Sequence, residues 1–121
     1  MAFDWNEYLN ICKTPLTAYI SEESIQRIII SRSYYAAYHA CLKYAENNNY
    51  TKTKNSGVHK SLIKFYRDIK WNKLSIKLNR IKTLRVSADY EAIFDGLCSS
   101  TAIEAIEIAE WIIHEIRSKN P

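Results

Sequence analysis

Glycine and proline are almost absent from this chain, which has two of each in 121 residues. Residues 22–46 contain neither, although apolar side chains recur through them at helical spacing. Sandwiches and barrels use glycine in their turns, and dinucleotide- and phosphate-binding loops use it where the backbone approaches the ligand. The sequence therefore predicts an all-α fold and excludes these glycine-dependent folds and loops.

Apolar residues at helical spacing predict about five helices. They are expected before Pro15, over residues 22–46, 58–69 and 72–92, and after Gly96. Thr101 and Glu104 have the spacing of a capping box, which would begin the last helix. Helices joined by short connections are typical of a bundle. We predict a single domain, residues 1–121, that folds as an up-and-down antiparallel helical bundle.

The remaining segments predict a loop and a compartment. The polar residues from Asn47 to Gly57 are expected to form an exposed loop. The three cysteines, Cys12, Cys41 and Cys98, lack a C-x-x-C spacing and are interpreted as small core side chains in a reducing compartment. Apolar runs are too short for a signal peptide or a membrane span, and a cytoplasmic location is predicted.

Positive charge is concentrated in the middle of the chain. Residues 51–82 carry ten lysines and arginines against the single acid Asp68, a net charge of +9 that leaves −5 for the rest of the +4 chain. Such a surface suits a polyanion or an acidic partner, although it could equally be a solvated helix face. The candidate RNA- or anion-binding residues here are His59, Lys60, Lys64 and Arg67.

The second helix is apolar on nearly all sides. Its core stripe would consist of Ile30, Tyr34, Ala37, Cys41 and Ala45. The opposite face carries Ile25, Ile28, Ile29, Arg32, Tyr35, Ala36 and His39. That face needs a cover, either another helix or a second copy of the chain. We expect a homodimer through it.

Arg32 and His39 lie two turns apart on this face, about 10 Å along the helix. Across a two-fold axis they would share a cleft with Tyr35 between them. Arginine can stabilise the charge of a phosphorane and histidine can transfer protons near neutral pH, as metal-free cleavage of RNA requires. The alternative without catalysis is an arginine whose aliphatic part lies on the apolar surface with its charge in water, and an interfacial histidine whose hydrogen bonds are made within the protein.

Arg85 stands within the apolar stripe of the fourth helix. A buried arginine needs a carboxylate, and Asp89 four residues later could supply it. Tyr90 could complete such a structural network, whereas the sharper alternative makes Arg85 an anion site. His59, at the start of the third helix, could contact phosphate or simply begin the helix. No grouping of residues predicts a metal site or a cofactor.

Three segments resemble the HEPN domains, namely residues 31–40 (SRSYYAAYHA), 57–65 (GVHKSLIKF) and 84–90 (LRVSADY). The resemblance spans most of residues 20–118. It implies a small helical bundle that dimerises and that is often paired with a minimal nucleotidyltransferase in toxin–antitoxin or phage-defence systems. Active members are metal-independent ribonucleases with an R-x(4-6)-H motif, a spacing that Arg32 and His39 satisfy.

The family's catalytic motif generally lies just before the last helix, where this chain has Asp89 about where histidine is expected. Two hypotheses follow. The first is a dimeric HEPN endoribonuclease or toxin that uses Arg32, His39 and Tyr35. The second is a non-catalytic module that binds a nucleotidyltransferase-type partner, a nucleotide or RNA through the basic face and Arg85, Asp89 and Tyr90.

Overall fold

The computed structural model describes residues 3–52 and 57–119, and within these residues the chain has five α-helices and no strands. The helices are α1 (Asn6–Lys13), α2 (Glu23–Glu46), α3 (Val58–Asp68), α4 (Asn72–Tyr90) and α5 (Ser99–Lys119). A short 3-10 helix, Leu16–Tyr19, connects α1 to α2 and was not predicted. The predicted all-α bundle of about five helices is confirmed.

α2 is the central helix and packs against all four of the others. Its predicted core stripe is buried, from Ile30 to Ala45. On the opposite face, α1 covers part of the surface, and Ile29 and Ala36 are buried, while Ile28 and Arg32 remain exposed. A helix of the same chain thus supplies part of the cover that this face needs. A dimer through the remainder stays a prediction.

The other helices contribute the rest of one continuous core. The buried apolar residues of α4 are Leu74, Leu78, Ile81, Leu84 and Ala88. Two isoleucines, Ile69 just after α3 and Ile103 in α5, are exposed. Ile69 follows the last residue of its helix. Ile103 lies on the outer side of α5, since its neighbours Ala102 and Ile106 are buried in the core.

The predicted capping box at Thr101 is wrong. α5 begins two residues earlier, the Thr101 hydroxyl donates to the Gly96 carbonyl at 2.6 Å, and the Glu104 carboxylate accepts two hydrogen bonds from Arg80 at 2.9 and 3.0 Å. Gly96 has a φ of +86°, which residues other than glycine rarely adopt. The chain turns at this glycine shortly before α5 begins.

The end of α4 is fixed by an arginine of α2. The guanidinium of Arg27 donates to the carbonyl oxygens of Ala88, Glu91 and Ala92 at 3.0, 2.7 and 3.1 Å. These include carbonyls that a helix terminus leaves without partners. α4 accordingly ends at Tyr90, two residues before the predicted end. Arg27 therefore joins the end of α4 to α2.

The structure also bears on the predictions for the cysteines, the polar loop and membrane spans. Cys12 and Cys41 are buried as expected, but Cys98 is exposed because it precedes α5 instead of lying inside a helix. The predicted polar loop is non-helical over 47–52, and its continuation at 53–56 lies outside the described residues. No helix in the described part of the chain is long and apolar enough to cross a membrane.

Candidate functional site

The segments that carry the family resemblance meet on one side of α2. Tyr34 comes from α2, His59 from α3, and Arg85 and Asp89 from α4. The Tyr34 hydroxyl forms a short hydrogen bond with Nδ1 of His59. The Arg85 guanidinium carbon lies 5.1 Å from the centre of the Tyr34 ring. An arginine and a histidine that are 26 positions apart in the sequence therefore share one tyrosine.

Arg85 is enclosed by aromatic rings and is only 5% exposed. Besides Tyr34, the rings of Tyr35 and Tyr90 lie 5.6 and 5.7 Å from its guanidinium carbon. Cation–π contacts of this kind stabilise a guanidinium but satisfy none of its N–H donors. Tyr90 is itself 74% exposed, so solvent is close to the cluster on that side.

The hydrogen bonding of Arg85 is incomplete. Its predicted i,i+4 partner Asp89 is present, but the Nη1–Oδ2 separation is 3.7 Å, too long for a direct hydrogen bond. Nε is buried and has no hydrogen-bond partner within residues 3–52 and 57–119. Asp89 also accepts a hydrogen bond of 3.2 Å from the Ser31 hydroxyl. Because an unpaired buried donor costs free energy, Arg85 has unused capacity to bind an oxyanion.

His59 lies half-buried beside the rings of Tyr34 and Tyr38. Its pKa is lowered from the ordinary value, mainly by burial and further by the positive charges of Arg85 and Lys82. Burial also raises the pKa of Tyr34, so its hydroxyl stays protonated. When that hydroxyl donates to Nδ1, the proton of the neutral imidazole lies on Nε2. Nε2 is then the nitrogen of His59 that can exchange a proton with a ligand.

The basic face is partly neutralised by the protein itself. Lys60, Lys64 and Arg67 are all exposed on α3, but Lys64 pairs with Asp68 at 2.6 Å. On α4 and α5, the ammonium groups of Lys73 and Lys77 lie 4.9 and 5.3 Å from the Trp111 ring. These three lysines therefore contact other side chains of the protein, whereas Lys60 and Arg67 project from α3 into solvent.

Arg32 and His39 lie on the side of α2 that faces α1. The exposed Arg32 guanidinium sits 4.9 Å over the Tyr8 ring. The His39 ring stacks on Trp5 with centroids 3.6 Å apart and planes 11° apart, and burial lowers its pKa. Tyr35 lies between the two sides, 6.3 Å from the His39 ring and 5.6 Å from the Arg85 guanidinium.

Two contacts escaped prediction from the sequence. The hydrogen bond between Tyr34 and His59 joins residues of different helices, and periodicity assigns Tyr34 only to the core stripe. The Arg27 cap is equally nonlocal, since its acceptors lie more than 60 residues away. A signal for the first contact existed in the resemblance, because both residues belong to its matching segments.

No known protein family, curated protein or solved structure matched this chain in comparisons. Among the described residues, no three histidine, cysteine, aspartate or glutamate side chains are grouped so that they could hold a metal ion.

Proposed function

We propose that this protein is a metal-independent endoribonuclease of the HEPN type, the toxin of a toxin–antitoxin or phage-defence pair. The observation that carries the proposal is the cluster of Arg85 and His59 around Tyr34, with one guanidinium nitrogen buried and without a partner among the described residues. The order and spacing of the three HEPN-like segments support it independently. The cluster lies within one chain and does not need a second subunit to bring arginine to histidine.

The two side chains have complementary roles in this reaction. Neutral His59 accepts the proton of a ribose 2′-hydroxyl, and the resulting oxygen attacks the adjacent phosphorus. Arg85 stabilises the negative charge that develops on the phosphoryl oxygens. The bond to the 5′-oxygen breaks, and that oxygen takes a proton from the imidazolium or from water. The products carry a 2′,3′-cyclic phosphate and a 5′-hydroxyl.

RNA has to displace part of the protein to reach Arg85. Asp89 is the internal anion nearest to the guanidinium, and Tyr90 is the exposed ring beside it. Asp89 and Tyr90 are the last two residues of α4, where side chains can move at a lower cost in free energy than in the core. The exposed Lys60 and Arg67 on α3 would hold the RNA backbone through electrostatic attraction.

The partners follow from the same resemblance. We expect a homodimer that uses the part of α2 left exposed around Ile28 and Arg32. The expected protein partner is a nucleotidyltransferase-type antitoxin. Sedimentation of the purified chain at several concentrations would test the homodimer.

Cleavage of labelled single-stranded RNA in the presence of EDTA tests the activity. Wild type is expected to cleave, and His59→Gln to lose at least about 100-fold in rate, as for removal of a general base. Arg85→Met should lose a similar factor and remain folded, because Asp89, the carboxylate it leaves behind, is partly exposed to water and still accepts the hydrogen bond of Ser31. His39→Gln and Arg32→Met are the matched controls and should cleave within a few-fold of wild type.

The controls also decide between the two sides of α2. Loss of cleavage in His39→Gln and Arg32→Met, with His59→Gln active, would assign the chemistry to a dimer cleft built from Arg32, His39 and Tyr35. Absence of cleavage in every variant, wild type included, would overturn the nuclease proposal.

A non-catalytic binding module is the second candidate. It is favoured by the near-complete burial of Arg85 and by Asp89, which stands beside the guanidinium as an internal anion. Such a module would bind RNA, a nucleotide or a nucleotidyltransferase partner without cleavage. Its RNA affinity should fall steeply with salt, and a flat salt response would exclude RNA as the ligand.

A further inference from the structure

A cavity of about 510 Å³ lies on the α1 side of the molecule, away from Arg85. Its walls come from the segment that precedes α1, from the second half of α2 and from the end of α5. This volume falls in the range of small-molecule sites in proteins, which runs from about 300 to 1,000 Å³. Neither the RNA chemistry nor the basic face uses it.

The cavity has an apolar floor and an aromatic wall. Ala36, Ile113 and Ile116 belong to the buried core and supply the floor. The wall includes the stacked rings of Trp5 and His39. Flat apolar groups pack well against surfaces of this composition because aromatic rings favour offset or edge contacts with other rings.

Two cations, Lys43 and Arg117, line the cavity. Lys43 and Arg117 are exposed and form no ion pair with any residue that the structure describes. The carboxylate among the lining residues, Asp4, accepts a hydrogen bond of 3.0 Å from the Asn6 backbone amide. With His39 neutral, these side chains give the cavity a net charge of +1.

We propose that this cavity binds a small aromatic carboxylate. The ring would pack on the apolar floor beside Trp5, and the carboxylate would lie between Lys43 and Arg117. An arginine can hold both oxygens of a carboxylate, and a lysine adds a point charge. A monoanion neutralises the +1 charge of the lining, whereas a phosphate dianion would leave a surplus of negative charge. His39 contributes an N–H donor or a ring face and takes no part in RNA cleavage.

Isothermal titration calorimetry with 3-phenylpropionate tests this assignment. The acid should bind wild type at millimolar concentrations or below, while the neutral analogue 3-phenylpropionamide should bind at least about tenfold more weakly, as expected for loss of a charge-assisted hydrogen bond. Arg117→Met and Lys43→Met should each weaken binding of the acid by a similar factor. Lys60→Met removes one charge from the distant α3 and should leave binding unchanged.

Several outcomes would overturn the proposal. They are equal binding of acid and amide, equal binding by Arg117→Met and Lys60→Met, and no heat of binding at any accessible concentration. Binding of adenosine 5′-monophosphate that is tighter than that of the acid, and that is lost in Arg117→Met but kept in Arg85→Met, would also overturn it in favour of a phosphate ligand. Circular dichroism of each variant shows whether a loss of binding reflects unfolding. RNA cleavage by His59→Gln is a separate readout, so failure here leaves the nuclease proposal intact.

Discussion

Arg85 and Arg32 both place a guanidinium beside a tyrosine ring, yet the fold treats them differently. Arg85 is 5% exposed, has its carboxylate partner at 3.7 Å and keeps a buried nitrogen for which the described part of the chain supplies no partner. Arg32 is exposed over Tyr8, where water can satisfy its donors. Only the first arginine carries an energetic cost that a bound anion would relieve.

The two histidines also differ in the groups that they contact. His59 is held through Nδ1 by a protonated tyrosine, Tyr34, whose ring also lies beside the Arg85 guanidinium. His39 is stacked on Trp5 and belongs to the wall of a cavity. Arg32 and His39 satisfy a sequence motif, whereas Arg85 and His59 share contacts with one tyrosine, Tyr34.

Removal of the Arg27 cap should have the largest effect on stability. Arg27→Met deletes three close hydrogen bonds to the end of α4 and should lower the free energy of unfolding by about 2–3 kcal/mol. Urea denaturation followed by circular dichroism measures this. Arg27→Lys should recover only part of the loss, since one ammonium group cannot reproduce the spread of the guanidinium donors.

The same variant links stability to the Arg85 side of α2. Because the cap holds the end of α4, Arg27→Met should increase amide exchange around Asp89 and Tyr90 before it affects the α1 side. Hydrogen exchange measured by mass spectrometry separates these regions. Uniform loss of protection along the chain would contradict a local role for the cap.

Two tyrosines allow a matched test of the hydrogen bond to His59. Tyr34→Phe removes a buried partner of the imidazole and should cost about 1–2 kcal/mol in unfolding free energy. Tyr8→Phe removes a hydroxyl from the ring that faces Arg32 and should change stability by less than about 0.5 kcal/mol. Equal costs in thermal and urea denaturation would show that the Tyr34 hydroxyl does not stabilise the fold through His59.

Much of the fold could be predicted because it depends on local periodicity. The scarcity of glycine and proline, with apolar residues at helical spacing, suffices for the five helices and for the core stripe of α2 from Ile30 to Ala45. Helix ends were harder to predict. The Glu104 carboxylate, which local spacing assigned to a cap of α5, pairs instead with Arg80 of α4, and no local pattern contains that contact.

The candidate site was predictable only in part, because it is assembled by tertiary contacts. Arg85 and Asp89 are neighbours on one helix, and their pairing follows from i,i+4 spacing. His59 reaches Arg85 only through packing of α3 near α2 and α4, so the sequence left it as either a phosphate contact or a helix start. Likewise α1 covers part of the second face of α2, and apolar patterning alone could not distinguish it from a second subunit.

Proton titration should also distinguish the two histidines. Arg85→Met removes a positive charge near His59 and should raise the pKa of His59, with that of His39 unchanged, as measured by NMR of the ring C–H signals. Parallel shifts of both histidines would instead indicate a general loosening of the bundle.

The lowered pKa values also set the direction of the stability change with pH. The unfolded histidines bind protons with a pKa near the ordinary 6.5, above the folded values. Between the folded and the unfolded pKa values, the unfolded state binds more protons than the folded state. The contribution of the histidines to the free energy of unfolding is therefore fully present above about pH 7 and is lost as the pH drops through the folded pKa values. His59→Gln should flatten this decline in urea titrations made at successive pH values.

Arg32→Met should have the smallest effect of these substitutions. An exposed cation–π contact contributes about 0.5–1 kcal/mol, and the methionine side chain can keep part of the packing against Tyr8. We therefore expect a loss of less than about 0.5 kcal/mol in urea denaturation and RNA cleavage within a few-fold of wild type. Sedimentation adds an independent readout, since Arg32 lies on the face expected to form the dimer. If this substitution abolished both the dimer and cleavage, the exposed side of α2 would have to contribute its arginine to a shared cleft, and Arg85 would become a structural residue.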